Sequence, residues 1–544
     1  MPRLARTLLL FAALLAVLGF GISRSGVAEP FSDPLSLIRS QDESAYANGA
    51  LRMATAGGWL TPRFMGRYLL IKPPLLVWLA GFSMKIGGIS RFALRLPVLV
   101  AGALATLLLI VWSAKAHSWW TAAATGLLLV ANPLWHTFSR LCYTDMLLAA
   151  AIIAALFTLW RDPELSRRES ILAFGVSVAA GVMAKNIAGL LPVAILAIFY
   201  LLVRLRPTAA LAKALAVVAV LAGPWHIYQA IAHGRWFWTD YVKIQLLGFG
   251  LNPPAQPVAE GAIQFYGKRL LFTDPFLSAL VLLALPFVLH AAKERKHEAA
   301  LLLSWMLVTA AAVLAFQYRN LPYLLQLIPP LSLAATGFGP VASRKGGRLA
   351  VPVLAAVFCA KAIAGTPAWA ISYGAAPPLP AAAALRWYAG LSRPNELLAV
   401  NTDDEFSASV MPLPKVRYVF VDPQGMTLRY APHYGYLGIT VSASQFDELE
   451  RWELLFQRHL QEWGLDSVEP VATVVVANSA AEVVHMISTH PQSDFYLPED
   501  FLGQLPDTVN ATHSISPFAG RRFFLLARDS RYSARPTGKL LLLE

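Results

Sequence analysis

The sequence predicts a polytopic α-helical membrane protein with a C-terminal soluble α/β domain, and three observations carry that prediction. Of its 544 residues, 56% are hydrophobic and only 14% charged, a balance too apolar for a soluble globule. Apolar runs of roughly 16–20 residues recur from Thr7 to about residue 366, each long enough to cross a bilayer core. Beyond that point short β-like segments alternate with polar helical ones.

The first element is a basic Met1–Arg6 followed by the uncharged run Thr7–Ile22. It reads either as an anchor helix or as a signal peptide with Gly26-Val27-Ala28 as its cleavage site. In both cases the next loop, which carries Asp42 and Glu43, emerges outside the cytoplasm. Ser40-Gln41-Asp42-Glu43 has the form of a capping box, and Gly57-Gly58 supply a stop. Between them Tyr46, Ala50 and Met53 share one face of a short helix. Pro73–Ile86 is apolar but short, with Lys85 inside it and two glycines just beyond, so it reads as a helix along the outer surface.

The remaining spans are 92–112, 119–137, 146–160, 171–186, 188–203, 211–229, 274–292, 299–316, 320–338 and 349–366. With Pro73–Ile86 kept out of the count, every basic cluster between spans falls in the cytoplasm. Those clusters are Arg161/Arg167/Arg168, Arg204/Arg206/Lys213, Lys293/Arg295/Lys296 and Arg344/Lys345/Arg348. The expectation is about eleven spans, N-terminus in and C-terminus out. The formal charge of +13 therefore belongs to cytoplasmic loops and does not point to nucleic acid. Two cysteines, Cys142 and Cys359, give no disulfide framework and no CxxC site.

After a linker over 367–384, strands are expected at Glu396–Val400, Val416–Val421, Val471–Val476 and Phe523–Ala527, and a helix over Ser444–Trp463. The pair Asp403-Asp404 reads as a solvated loop.

This topology sorts the ionisable residues. At outward span ends lie Asp42 and Glu43, Lys72, Arg140 and Asp145, Lys185, Lys268 and Arg269, and Arg319. Charge at a membrane boundary is costly and marks function. Snorkelling towards headgroups explains a single cation, but not two acids and several bases converging on one face.

The motifs at these positions form an ordered series. Asp42-Glu43-Ser44-Ala45-Tyr46-Ala47 (DExxYA) is followed by Trp59-Leu60-Thr61-Pro62-Arg63, Lys72-Pro73-Pro74 and Arg91-Phe92-Ala93-Leu94-Arg95-Leu96-Pro97. Then come Arg140-Leu141-Cys142-Tyr143-Thr144-Asp145-Met146, Met183-Ala184-Lys185-Asn186, Gly223-Pro224-Trp225-His226 and Phe316-Gln317-Tyr318-Arg319-Asn320-Leu321-Pro322-Tyr323. Over roughly residues 30–340 the series resembles the protein O-mannosyltransferase and lipid A aminoarabinose transferase families. Two departures stand out: Asn186-Ile187 where those families carry Gly-Pro, and Arg319 where Lys is commoner.

The resemblance implies the C-type glycosyltransferase fold, with about 11–13 spans and a retained N-terminal anchor. It implies a transmembrane glycosyltransferase domain at 1–366 with a catalytic outer loop at 23–91. The C-terminal α/β domain at 367–544, read from its strand pattern and placed in the periplasm by the topology, follows those families in placement only. The resemblance also implies a bacterial inner-membrane enzyme that moves a sugar from a polyprenyl-phosphate donor to a lipid, glycan or protein acceptor.

The residue types suit that chemistry. A departing phosphate needs positive charge already in place, which Lys72, Arg140, Lys185, Arg269 and Arg319 offer, with Tyr323 beside them. An incoming hydroxyl needs a base, for which Asp42 is the first candidate, with Glu43 and Asp145 as the other catalytic acids. Asp145 orients Lys72 or, if the enzyme uses a divalent cation, serves as its hard oxygen ligand. The alternative from another class is a transporter or flippase of polyprenyl-linked lipids. The span pattern offers no internal repeat and no paired broken helices to support it.

Overall fold

The computed structural model describes residues 41–64, 67–251, 260–364, 396–400, 416–422, 439–462, 473–518 and 523–527. The expected anchor Thr7–Ile22, the Ser40 cap, the 367–384 linker and Asp403-Asp404 lie outside the described residues.

Helix α1 (Gln41–Ala56) carries its two acids in the first turn, where the helix dipole favours negative charge. It buries Ala45, Tyr46, Ala47, Ala50 and Met53. It stops where Gly57 and Gly58 take positive φ, +82° and +76°. A two-stranded hairpin, β1 (Arg63–Phe64) and β2 (Arg67–Tyr68), leads to Lys72. Helix α2 (Leu75–Gly87) is the short segment that the charge pattern keeps out of the span count. It packs on α1 and on the next helix, α3 (Arg91–Ala116), and buries Leu76, Val77, Ala80, Gly81 and Met84, while Phe82 and Ile86 stay exposed. An apolar helix with an exposed apolar second face suits a membrane surface.

Six stretches among the described residues are long and apolar enough to cross a membrane, judged by length and composition. They are α3 (Arg91–Ala116), α6 (Thr144–Arg161), the stretch Arg168–Val203, α9 (Ala209–Ala232), α11 (Pro275–Lys293) and α12 (His297–Ala315). Arg168–Val203 divides into α7 (Arg168–Lys185), a 3-10 turn and α8 (Leu191–Val203). Helix α7 packs between α6 and α9, whereas α8 leaves it and packs on α12.

Two expected spans are interrupted. The 119–137 run is α4 (Trp119–Ala131) and α5 (Pro133–Phe138), because Asn132 caps the second helix and Pro133 has no N–H to continue the first. The 320–338 run is a 3-10 turn (Leu321–Gln326) and α13 (Ile328–Gly337), each with proline in its first turn. Helix α10 (Ala262–Thr273) precedes α11, and α14 (Arg344–Ala364) packs against α4.

The C-terminal region forms a seven-stranded mixed sheet of order β5-β6-β4-β3-β7-β9-β8. Its strands are β3 (Leu397–Val400), β4 (Val416–Val421), β5 (Ile439–Ser442), β6 (Thr473–Ala477), β7 (Asp494–Pro498), β8 (Ser514–Phe518) and β9 (Phe523–Ala527). The β5-β6-β4-β3-β7 part is parallel and the β7-β9-β8 edge antiparallel. Side chains alternate between two cores. Leu398, Val400, Val419, Val475, Phe495 and Leu497 join Phe446, Leu449, Val483 and Ile487. Leu397, Ala399, Val416, Tyr418, Val474, Val476 and Tyr496 belong to the cluster that includes the helical core. Burial on both faces accounts for the near-continuous apolar runs of β3, β4 and β6.

Candidate active site

A cavity of about 790 Å³ lies between the start of α1, the Lys72 loop, the start of α6, the α7–α8 turn, the end of α12 and the 3-10 turn after it. Asp42, Lys72, Asp145, Lys185, Arg269, Arg319 and Tyr323 all line it. Seven of the nine site residues expected from sequence therefore converge on one chamber, from segments up to 281 residues apart (Asp42 to Tyr323). Glu43 and Arg140 are not among the cavity-lining residues.

Each cavity side chain is held by a local device. Asp145 begins α6, where the dipole favours its charge. Its carboxylate pairs with the Lys185 ammonium, both largely buried. Lys185 also lies 4.6 Å from the Tyr323 ring centroid, a cation–π distance. Gln326 Nε2 donates to the Asp145 carbonyl at 2.9 Å, which ties the 3-10 turn to the same corner.

Lys185 ends α7, and Asn186 follows with φ +48°. Its ψ of −132° lies outside the left-handed helical well that Asn tolerates, so the bend is one that Gly adopts more readily and Asn186 holds it under backbone strain. Gly189 then passes so close to α7 that a β-carbon there would fall 2.0 Å from the Val182 nitrogen. The turn thus keeps Lys185 in the cavity despite the departure from Gly-Pro.

Asp145 pairs with Lys185 and makes no direct pair with Lys72. The Lys72 ammonium instead donates to Gln245 Oε1, on a π-helical segment (Phe237–Gly248) that sequence reasoning missed. Residues 316–320 are pinned to that neighbourhood by Gln317 N–H to the Gly250 carbonyl and Tyr318 N–H to the Phe249 carbonyl, both 3.0 Å. Asn320 N–H donates to Tyr266 Oη at 3.1 Å. Arg269 Cζ lies 3.5 Å from the Phe265 ring centroid, and Arg269 Nη1 donates to Glu260 Oε2 at 3.0 Å.

Two of the charged groups that line the chamber, Asp42 and Lys72, have shifted pKa values. Asp42 opens onto the cavity, yet the protein around it raises its carboxyl above the ordinary 3.8. Burial is the largest cause; Lys72 and Lys185 pull the value back and Asp145 pushes it up. Burial, with the charge of Lys185 adding to it, lowers Lys72 to about 8, opposed by Asp42 and Asp145.

The two expected residues outside the chamber have structural partners. Glu43 is completely buried and accepts Arg95 Nε at 2.7 Å, Arg95 Nη2 at 2.6 Å and Cys142 N–H at 2.8 Å. With its lone pairs committed there, Glu43 is a strut between α1, α3 and the 140–143 loop rather than an acid of the chamber. Arg140 is buried with Nε donating to the His136 carbonyl at 2.9 Å.

The donor set does not suit a divalent cation. Asp145 already faces an ammonium, and the described residues contain no group of three His, Cys, Asp or Glu side chains that could hold one. What the chamber offers chemically is a carboxylate able to take a proton beside four cations able to hold an anion.

Comparison with known proteins agrees with this architecture. The sequence profile of the dolichyl-phosphate-mannose-protein mannosyltransferase family matches residues 71–228. An uncharacterized protein of Aquifex aeolicus is 27% identical over 207 residues, 37% of this chain and 41% of its own length. The undecaprenyl phosphate-α-4-amino-4-deoxy-L-arabinose arabinosyl transferase of Pseudomonas paraeruginosa is 25% identical over 319 residues, 54% of each chain. The chain thus spans about half the length or less of these curated relatives. A crystal structure of ArnT from Cupriavidus metallidurans bound to undecaprenyl phosphate superposes with a TM-score of 0.61 at 15% identity, covering 97% of this chain and 99% of the other. The chain has the C-type membrane glycosyltransferase fold and resembles the protein mannosyltransferase and aminoarabinose transferase families.

Proposed function

We propose that the protein is an inverting glycosyltransferase that moves a sugar from a polyprenyl-phosphate donor to a lipid, glycan or protein acceptor. The observation that carries this reading is the meeting of Asp42 with Lys72, Lys185, Arg269 and Arg319 in one cavity. The named activities of the relatives and the undecaprenyl phosphate of the ArnT structure support it. A flippase has no comparable support.

In the proposed reaction the donor phosphate rests among the cavity cations, whose positive charge meets the charge that develops as it departs. The acceptor hydroxyl oxygen attacks the anomeric carbon from the opposite side. The carbon–oxygen bond to phosphate breaks, its electron pair leaves with the phosphate, and the hydroxyl proton passes to Asp42. Lys185 keeps Asp145 neutralised, so that a second free acid does not repel the donor. Lys72, lowered to about 8, is charged at neutral pH. The prenyl tail holds the donor in the bilayer at about 0.8 kcal/mol per buried CH₂.

The positive-inside pattern supports an active site at the outer face of a bacterial inner membrane. On the same reading residues 1–366 form the transferase domain and residues 367–544 an outer, periplasmic domain.

The test uses full-length protein in nanodiscs, a panel of undecaprenyl-phosphate sugars and an envelope-lipid extract. Release of undecaprenyl phosphate and glycosylation of an acceptor are followed by mass spectrometry. At least one donor should give both products with inverted anomeric configuration. Retention of configuration, or equal release by Asp42→Asn, would refute the mechanism.

A further inference from the structure

Among the cavity cations, Arg269 is held in a distinctive way. Lys185 is paired with Asp145 inside the chamber, where both are largely buried. Arg269 also lines the chamber, but its carboxylate partner, Glu260, is not among the lining residues. Glu260 accepts Arg269 Nη1 at 3.0 Å and Lys268 Nζ at 3.2 Å. The Arg269–Glu260 pair is about one-third exposed, 33% and 29%, so water screens it and it opens at small cost. The guanidinium would keep its place after opening. Its Cζ lies 3.5 Å from the Phe265 ring centroid, and Nη1 has a second acceptor in the Phe265 carbonyl at 3.2 Å.

We infer that Glu260 is an internal competitor for Arg269, occupying the guanidinium when no phosphate is bound and giving it up when a polyprenyl phosphate enters. This rests on the donor reading above and adds a residue that sets affinity without touching the reacting atoms. A phosphate and a carboxylate compete for the same N–H donors. The carrier phosphate, a monoester, has more charge and more acceptor oxygens than the carboxylate and prevails, whereas the sugar-linked donor is a diester of single charge and meets Glu260 on more even terms. Glu260 therefore weakens capture of phosphate, and takes the cation back as the spent carrier leaves. Lys185, tied to a buried acid, is not open to the same exchange.

The competition has a signature opposite to that of a supporting strut, whose loss would weaken binding. Full-length protein in nanodiscs of zwitterionic lipid is titrated with undecaprenyl phosphate and, separately, with undecaprenol, which has the same tail and no charge. Glu260→Gln should bind undecaprenyl phosphate about two- to five-fold tighter than wild type, as expected for a partly exposed ion pair. Its binding of undecaprenol should be unchanged. Arg269→Gln should bind the phosphate more weakly, and adding Glu260→Gln to it should restore nothing. Unchanged or weaker phosphate binding by Glu260→Gln would overturn the inference, as would a gain that persists in the Arg269→Gln background. Wild type that does not distinguish the phosphate from the alcohol would overturn the donor reading as well.

Discussion

Asp42 and Glu43 are neighbours in the first turn of α1, yet they meet opposite surroundings. Glu43 points into packed protein, where the Arg95 fork and the Cys142 amide meet both carboxylate oxygens. Asp42 points into a cavity, where cations lie near enough to lower its pKa without offsetting the cost of burial. The same chemical group is a strut in one place and a titratable acid in the other. Incomplete pairing is what leaves Asp42 able to take a proton.

The largest expected effect is on Asp42. Asp42→Asn keeps the size and removes the base, so turnover should fall about 10²- to 10⁴-fold, with thermal stability close to wild type. Turnover within a few-fold of wild type, measured with the true donor, would remove Asp42 from the mechanism.

Glu43→Gln should reverse that profile. It leaves Arg95 charged and buried, which typically costs about 3–5 kcal/mol. A large loss of thermal stability should therefore precede any specific loss of turnover. Glu43→Gln combined with Arg95→Met should regain part of that stability. A stable but inactive Glu43→Gln would place Glu43 back among the catalytic acids.

Smaller changes are expected at the cations. Lys72→Ala should lower kcat/KM about 10- to 100-fold, in line with the loss of a hydrogen bond to a charged group. Lys72→Arg should retain most of it, and Arg319→Ala against Arg319→Lys should follow the same order. If neutral and charged replacements behave alike at either position, that residue does not meet the phosphate.

The pH profile is the subtlest test. In kcat/KM the acid limb belongs to Asp42, whose raised pKa places it above 3.8. Activity should climb as that carboxyl ionises. It should fall again near pH 8 as Lys72 loses its proton. In Lys72→Arg the alkaline limb should move upward, because a guanidinium stays charged. An alkaline limb unchanged in Lys72→Arg would assign it to another group.

Much of the chamber is legible in the sequence because its residues sit in local motifs at span ends, where charge is costly enough to be conspicuous. Asp42, Lys72, Asp145, Lys185 and Arg319 are of this kind; Arg269 is marked by its place at a span end alone, and Tyr323 by the motif it shares with Arg319. The pairing among them is not legible, since Lys185 meets Asp145 across 40 positions and Arg95 meets Glu43 across 52. Gln245 sits in a stretch with no motif, on the π-helical segment from which it meets Lys72. Asn186 departs from the Gly-Pro pattern yet takes a backbone conformation that favours Gly, which the sequence does not reveal.

In the C-terminal region β3, β4, β6 and β9 show as apolar runs. Strands β5, β7 and β8 are short and polar or proline-containing, so their periodicity is too weak to read.

The central claim is that this chamber is the donor site, and photo-crosslinking tests it most directly. Full-length protein in nanodiscs is irradiated with a polyprenyl phosphate bearing a diazirine near the phosphate, then digested and mapped. Labels should fall on chamber segments such as Asn186–Leu191, Leu246–Phe249 or Ala312–Phe316, and excess unlabelled undecaprenyl phosphate, but not undecaprenol, should suppress them. Labels confined to the outward apolar face of α9 or to the C-terminal sheet, insensitive to that competitor, would contradict the account.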